Sequence, residues 1–224
     1  MVRYLALALI IAACGESASD EPDAGVDGVP GPPTAAELRA RIATCDPVIG
    51  GPFAADSSDP SVIPICGLPG AVFWKADLDV DCDGKMTAQC SLSTDPYYMN
   101  QTAATDSQGQ PLDAAALPYV VLPGKSTRFD YAMAGLKLGS VFAVIYKDQV
   151  QYGVAGDIGP TAVIGEASYR MAELLGIDPD PRIGGTDEEV AYIGFTGPDA
   201  ITVPIEDHDR AVSIGLEFAR ALVQ

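Results

Sequence analysis

Val150-Gln-Tyr-Gly-Val-Ala-Gly-Asp157-Ile-Gly-Pro-Thr161-Ala-Val-Ile-Gly-Glu166-Ala-Ser168 is the stretch on which the reading of the chain turns. Val150, Val154 and Ala155 fit a buried strand, and Gly156, Gly159 and Pro160 end it in a tight turn. Thr161 is placed to cap a helix over 162–175, with Gly176 as its stop. That helix would gather Val163, Ile164, Ala167, Met171, Leu174 and Leu175 on one broad apolar face. Asp157 then falls on the turn, and Glu166 one to two helical turns further on. Two carboxylates held by a rigid turn suit paired acid–base chemistry. Two plainer readings stay open. Glu166 and Arg170 stand at i, i+4 and could form a surface ion pair. An Asp beside glycines is commonly just a turn residue.

Outward from this stretch, strands outnumber helices. Residues 71–80, 117–122, 140–146, 149–156 and 190–195 read as strands. Val141 to Ile145 is apolar on both faces, which marks a central strand, and Lys147-Asp148 is a two-residue hairpin loop. Thr34 and Glu37 form a capping box for a first helix ending near Cys45. A last helix over about 209–223 turns Val212, Leu216, Ala219 and Val223 inward. The expected fold is β-rich α+β: a single domain with a barrel-like or strongly curved sheet flanked by a few helices.

The strand over 71–80 carries the most charge. Val72, Trp74, Ala76, Leu78 and Val80 alternate with Lys75, Asp77, Asp79 and Asp81, so the carboxylates share one face. Asp83 extends the row into the turn at Gly84. Asp79-x-Asp81-x-Asp83-Gly84 matches the first half of a calcium loop, but the position that needs a bidentate Glu is Cys90. The expectation is therefore no metal and no cofactor. A row of carboxylates would instead line a groove for protonated amines repeating along a polymer. A solvated sheet edge kept unpaired by repulsion is the plainer account. Trp74 shares the core-facing parity, and a bulge would be needed to turn it to the ligand side.

The chain of 224 residues carries 31 acidic against 13 basic side chains, a net charge of −18. That excludes nucleic acid and anionic membrane surfaces as partners and suits a cationic ligand. Arg3 and the apolar run Leu5 to Ala13 read as an export signal over 1–13, too short to span a bilayer. Ile11-Ala12-Ala13-Cys14 resembles a bacterial lipobox, so Cys14 is the expected lipidation site. Residues 14–33, rich in Gly, Pro, Asp, Ser and Ala, read as a disordered tether. The domain itself is expected over 34–224. The protein is thus expected to be exported, as a monomer lipid-anchored at the cell envelope or secreted. Cys45, Cys66, Cys82 and Cys90 remain, an even count that points to two disulfides with three possible pairings. Cys82–Cys90 is favoured as a short hairpin-like closure, leaving Cys45–Cys66.

Four ordered blocks carry a family resemblance. They are Gly156-Asp157-Ile158-Gly159-Pro160-Thr161 with Ile164 to Ser168; Phe73 to Gly84; Leu112 to Pro123; and Gly176 to Pro181 with Gly184 to Asp187. Together they resemble glycoside hydrolase family 75, the endo-chitosanases, over about 67–197. The resemblance implies endo-hydrolysis of β-1,4 glucosamine linkages with inversion. One protonated carboxyl then donates to the leaving oxygen and one carboxylate activates water, about 6.5–9.5 Å apart. Glu166 is assigned as acid and Asp157 as base. Asp77, Asp79, Asp81, Trp74, Lys75, Thr161 and Tyr119 are assigned to substrate. The competing functions are a non-catalytic carbohydrate- or polycation-binding lipoprotein and a calcium-stabilised surface module.

Overall fold

The computed structural model describes residues 31–48 and 50–224. The expected signal segment, Cys14 and all but the end of the tether lie outside the described residues. The elements, in order, are α1 (Ala35–Arg41), β1 (Asp46–Pro47), β2 (Cys66–Leu68), β3 (Ala71–Asp81), β4 (Tyr119–Pro123), β5 (Val141–Tyr146), β6 (Gln149–Gly159), β7 (Glu166–Ser168), α2 (Tyr169–Leu175), β8 (Thr186–Phe195) and α3 (His208–Val223). Among the described residues no helix is long and apolar enough to cross a membrane.

The sheet order β1-β2-β3-β7-β4-β6-β5-β8 closes on itself through a β3–β8 pairing. Six strands, β3 to β8, therefore make a barrel, and β1 and β2 extend it past β3. Closure removes the free edges that a sheet this apolar would otherwise expose. The expected barrel is thus present. So are the capping box of α1 and the turn at Lys147, which adopts a left-handed φ of 51°.

Alternation sorts the side chains into two apolar layers and one polar site. Val72, Trp74, Ala76 and Leu78 of β3 point inward, where they meet Val120, Phe142, Ala155, Ala167 and Tyr192. Ala71 and Phe73, on the opposite parity, are also buried, beneath α1 and α3 together with Val141, Ala143, Ile193 and Ala219. The first half of β3 is therefore apolar on both faces. Its second half leaves the cover of those helices, and there the outward positions become Asp77, Asp79 and Asp81.

The deciding stretch folds differently from the expected strand–turn–helix. The strand does not stop at Gly156; β6 runs on to Gly159. The helix does not start at Thr161. Glu166 to Ser168 form the short strand β7, parallel to β3, and α2 begins at Tyr169. Its cap is Ser168, whose hydroxyl accepts from the Met171 N–H. Sheet pairing overrides the helical periodicity here, as tertiary context commonly does. Gly165 sits at φ 125°, outside any helix, and its carbonyl accepts from the Asp79 N–H at 2.9 Å. A Cβ at Gly165 would stand 2.3 Å from Asp77 Oδ1, so the close approach of β7 to β3 requires glycine.

Both expected disulfides are present, Cys45–Cys66 and Cys82–Cys90. The first ties the end of α1 to β2. The second closes the start of a long connection between β3 and β4. Two disulfides fit an exported protein, since reducing compartments rarely sustain them.

Candidate active site

The site is built on the outer face of β3, β7, β4 and β6, where no helix covers the barrel. Asp79 pairs with Glu166 in register, and Ala167 pairs with Val80 and Val120. Ala167 points into the barrel, so Glu166 points out, on the face of Asp79. Asp157 reaches the same face by a bulge. In the β4–β6 ladder Val120 pairs with Ala155 and Val121 with Asp157, so Gly156 is an extra residue. Ala155 is inside the barrel; strict alternation would have sent Asp157 inside as well. The bulge turns it outward, a common use of bulges beside active sites. Only glycine fits the bulge, because a Cβ there would lie 2.7 Å from Tyr119 Cβ.

A cleft of about 650 Å³ opens over these residues. Asp81, Asp83, Asp157 and Glu166 line its acidic side, and Asp95, Tyr97, Met99 and Gln101 come from the β3–β4 connection. Asp157 is 8% exposed, and its Oδ1 accepts from the backbone N–H groups of Ala103 and Ile158, each at 2.7 Å. Burial raises its pKa, but the two donors oppose that rise and favour the charged form. Glu166 has no hydrogen-bond donor among the described residues. Burial, then the charges of Asp79, Asp157, Asp83 and Asp77, push its carboxyl up to about 7. Burial first, then carboxylates of their own surroundings, Asp56 and Asp187 among them for Asp77 and Asp79, raise Asp77 to about 7 and Asp83 to about 6, and lift Asp79 and Asp81. Two neighbouring carboxyls thus differ in kind: Glu166 keeps its proton near neutrality, while Asp157 is held by donors that suit the anion.

The remaining sequence-assigned residues divide. Asp81 lines the cleft floor, its Oδ1 accepting from the Asp83 N–H at 2.7 Å. Asp79, the ladder partner of Glu166, and Asp77 continue the row along β3 beyond the residues that line the cleft. Lys75 is further along the same strand, opposite Ala191 and outside the cleft. Thr161 is exposed one residue beyond Pro160 at the cleft edge. Two assignments are corrected by burial. Trp74 is 1% exposed, stacked on Tyr192 inside the barrel with Phe142 edge-on, so it cannot touch substrate. No bulge turns it outward. Tyr119 is fully buried and donates its hydroxyl to the Asp83 carbonyl at 3.0 Å, beneath the site. The surface ion pair between Glu166 and Arg170 is also corrected. Glu166 lies on a strand, and Arg170 pairs with Glu173 within α2. The sequence reading missed Asp95, Tyr97 and the Ala103 N–H. They come from an irregular connection whose residues have no periodicity to read.

Two dissimilar carboxyls facing an open acidic cleft on a rigid barrel are the kind of site a carboxylate-dependent glycoside hydrolase requires. The model of the family described as "Fungal chitosanase of glycosyl hydrolase group 75" matches residues 78–218. Endo-chitosanase B of Aspergillus oryzae is 37% identical over 168 residues, covering 66% of this chain and 70% of that protein. An endo-chitosanase of Aspergillus fumigatus is 31% identical over 172 residues, covering 70% of this chain and 72% of that protein. The chain belongs to glycoside hydrolase family 75.

Proposed function

We propose that the protein is an endo-chitosanase that hydrolyses β-1,4 glucosaminide bonds with inversion, Glu166 acting as general acid and Asp157 as general base. The observation that carries this reading is the contrast between the two carboxyls. Glu166, half-buried among four acidic neighbours and without a donor among the described residues, arrives protonated and can give its proton to the leaving oxygen. Asp157, held by the Ala103 and Ile158 N–H groups, keeps a lone pair for the attacking water. The Asp row of β3 supplies counter-charges for the amines of the polymer.

The test is incubation of the domain over 34–224 with soluble chitosan and with chitin, following reducing ends and product lengths. Rapid loss of viscosity with short oligomers as products supports the reading. Inert chitosan contradicts it. We further propose an exported enzyme tethered through Cys14 by residues 14–33 and acting as a monomer. Mass spectrometry of the mature exported protein should then find a lipidated Cys14 at its N-terminus. An intact Met1 or a free Cys14 thiol contradicts the anchor.

A further inference from the structure

We propose that Tyr97 is the stacking platform of the cleft, a binding residue that holds a sugar ring beside the carboxylates that line it. The proposal rests on the reading of the site as a glycan cleft. Among the described residues Tyr97 is the one aromatic side chain lining that cleft, and it is 88% exposed. Other large apolar side chains are as exposed, Met133 and Ile183 among them, but they do not line the cleft.

The backbone around Tyr97 is fixed on both sides. Asp95, 7% exposed, accepts the Tyr97 N–H at 2.8 Å, and its own N–H is bonded to Ser91 O. Tyr98 is buried and donates its hydroxyl to Gly84 O at 2.7 Å. Met99 N–H is bonded to Asp83 Oδ1, and the Gly84 N–H to Met99 O. The Cys82–Cys90 disulfide closes the base of the same connection. Tyr97 is thus sent into solvent, as Pro96 and Met99 are, from a stretch whose backbone is anchored on both sides. A ring on a fixed backbone loses little freedom on contact, which makes it an efficient surface for a flat apolar partner. The partner that fits is the C–H face of a β-linked pyranose. Its amino substituents, at the ring edge, would then reach across to the carboxylates. The ring gives a non-polar contact indifferent to salt, the carboxylates a charge contact that salt weakens.

The experiment is calorimetric titration of a glucosamine hexamer into Glu166→Gln protein, which prevents turnover, at low and high ionic strength. Adding Tyr97→Ala is expected to weaken binding about tenfold at both ionic strengths, and Tyr97→Phe to stay within about threefold. Asp79→Asn, by contrast, is expected to lose its effect as salt rises. Undiminished binding by the Tyr97→Ala protein overturns the platform and leaves the proposed function standing. A loss that Phe does not restore, or that vanishes in high salt, also overturns it. If the Glu166→Gln protein binds no hexamer, the platform is wrong. Chitosan hydrolysis by the wild-type protein, measured alongside, then decides whether the proposed function is wrong too.

Discussion

The proposed chemistry rests on what surrounds two side chains. Glu166 and Asp157 were both legible in the sequence as a spaced pair of carboxylates, and their roles were assigned there only through the family resemblance. The proposed roles draw their physical support from burial and from two backbone donors, neither of which is visible in residue order. Asp157→Asn cannot take a proton from water, and its turnover is expected to fall about 10²–10⁴-fold. Substrate affinity should change much less, because the amide keeps the shape and an oxygen acceptor for the Ala103 N–H. Steady-state kinetics with a binding titration checks both. The pH profile carries a second expectation. If Glu166 is the acid, as proposed, it acts in its protonated form, so kcat/KM should fall as pH rises through about 7. In Glu166→Gln the residual rate should lose that alkaline limb. A limb that persists unchanged assigns the proton to another group.

At the scale of elements, alternation on β3 was readable because hydrophobic and acidic residues take turns over one long strand. The stretch after β6 was misread for a physical reason. Its apolar residues repeat at a helical spacing, yet Val163 and Ile164 are β-branched, and Gly165 adopts a φ that breaks a helix. Glu166 gains a ladder partner in Asp79 instead. The bulge at Gly156 was equally hidden, since a glycine before a Gly-Pro turn looks like a stop. The connection after β3 gives a prediction of its own. It carries the Ala103 N–H that holds Asp157, and Cys82–Cys90 closes its start. Cys82→Ser with Cys90→Ser is expected to lower stability by about 2–3 kcal/mol in the chain-entropy view. Chemical denaturation measures that loss. Activity below the unfolding transition should fall as well, since the loop would hold Asp157 less firmly. Full activity with reduced stability would separate the disulfide from the site.

For the whole molecule, the dominant property is crowded negative charge. The barrel, the export context and a cationic ligand were legible from composition and alternation; the buried position of Trp74 followed from its parity, against its assignment to substrate. Crowding has a thermodynamic consequence. Asp77, Asp83 and Glu166 have folded-state pKa values raised to about 7, 6 and 7, above the ordinary values of 3.8 and 4.5. The folded protein therefore binds more protons than the unfolded chain between those limits. Their contribution to stability is fully present below about pH 4 and is lost as pH rises toward 7. Over that window the site opposes the usual gain of stability from the other carboxylates. Asp77→Asn should accordingly raise Tm relative to wild type at pH 8, with a smaller difference at pH 4, and salt should shrink it. Scanning calorimetry at the two pH values checks this; an equal shift at both would assign the effect to packing instead.

Proton NMR of a glucosamine hexamer digested by the wild-type protein tests the central claim most directly, since cleavage and stereochemistry appear in one spectrum. The pairing of a protonated Glu166 with a water-activating Asp157 predicts that the first new reducing ends are α-anomers, later equilibrating to the mixture. First-formed β-anomers would require a nucleophile in place of the base, and a hexamer left intact would contradict the assignment altogether.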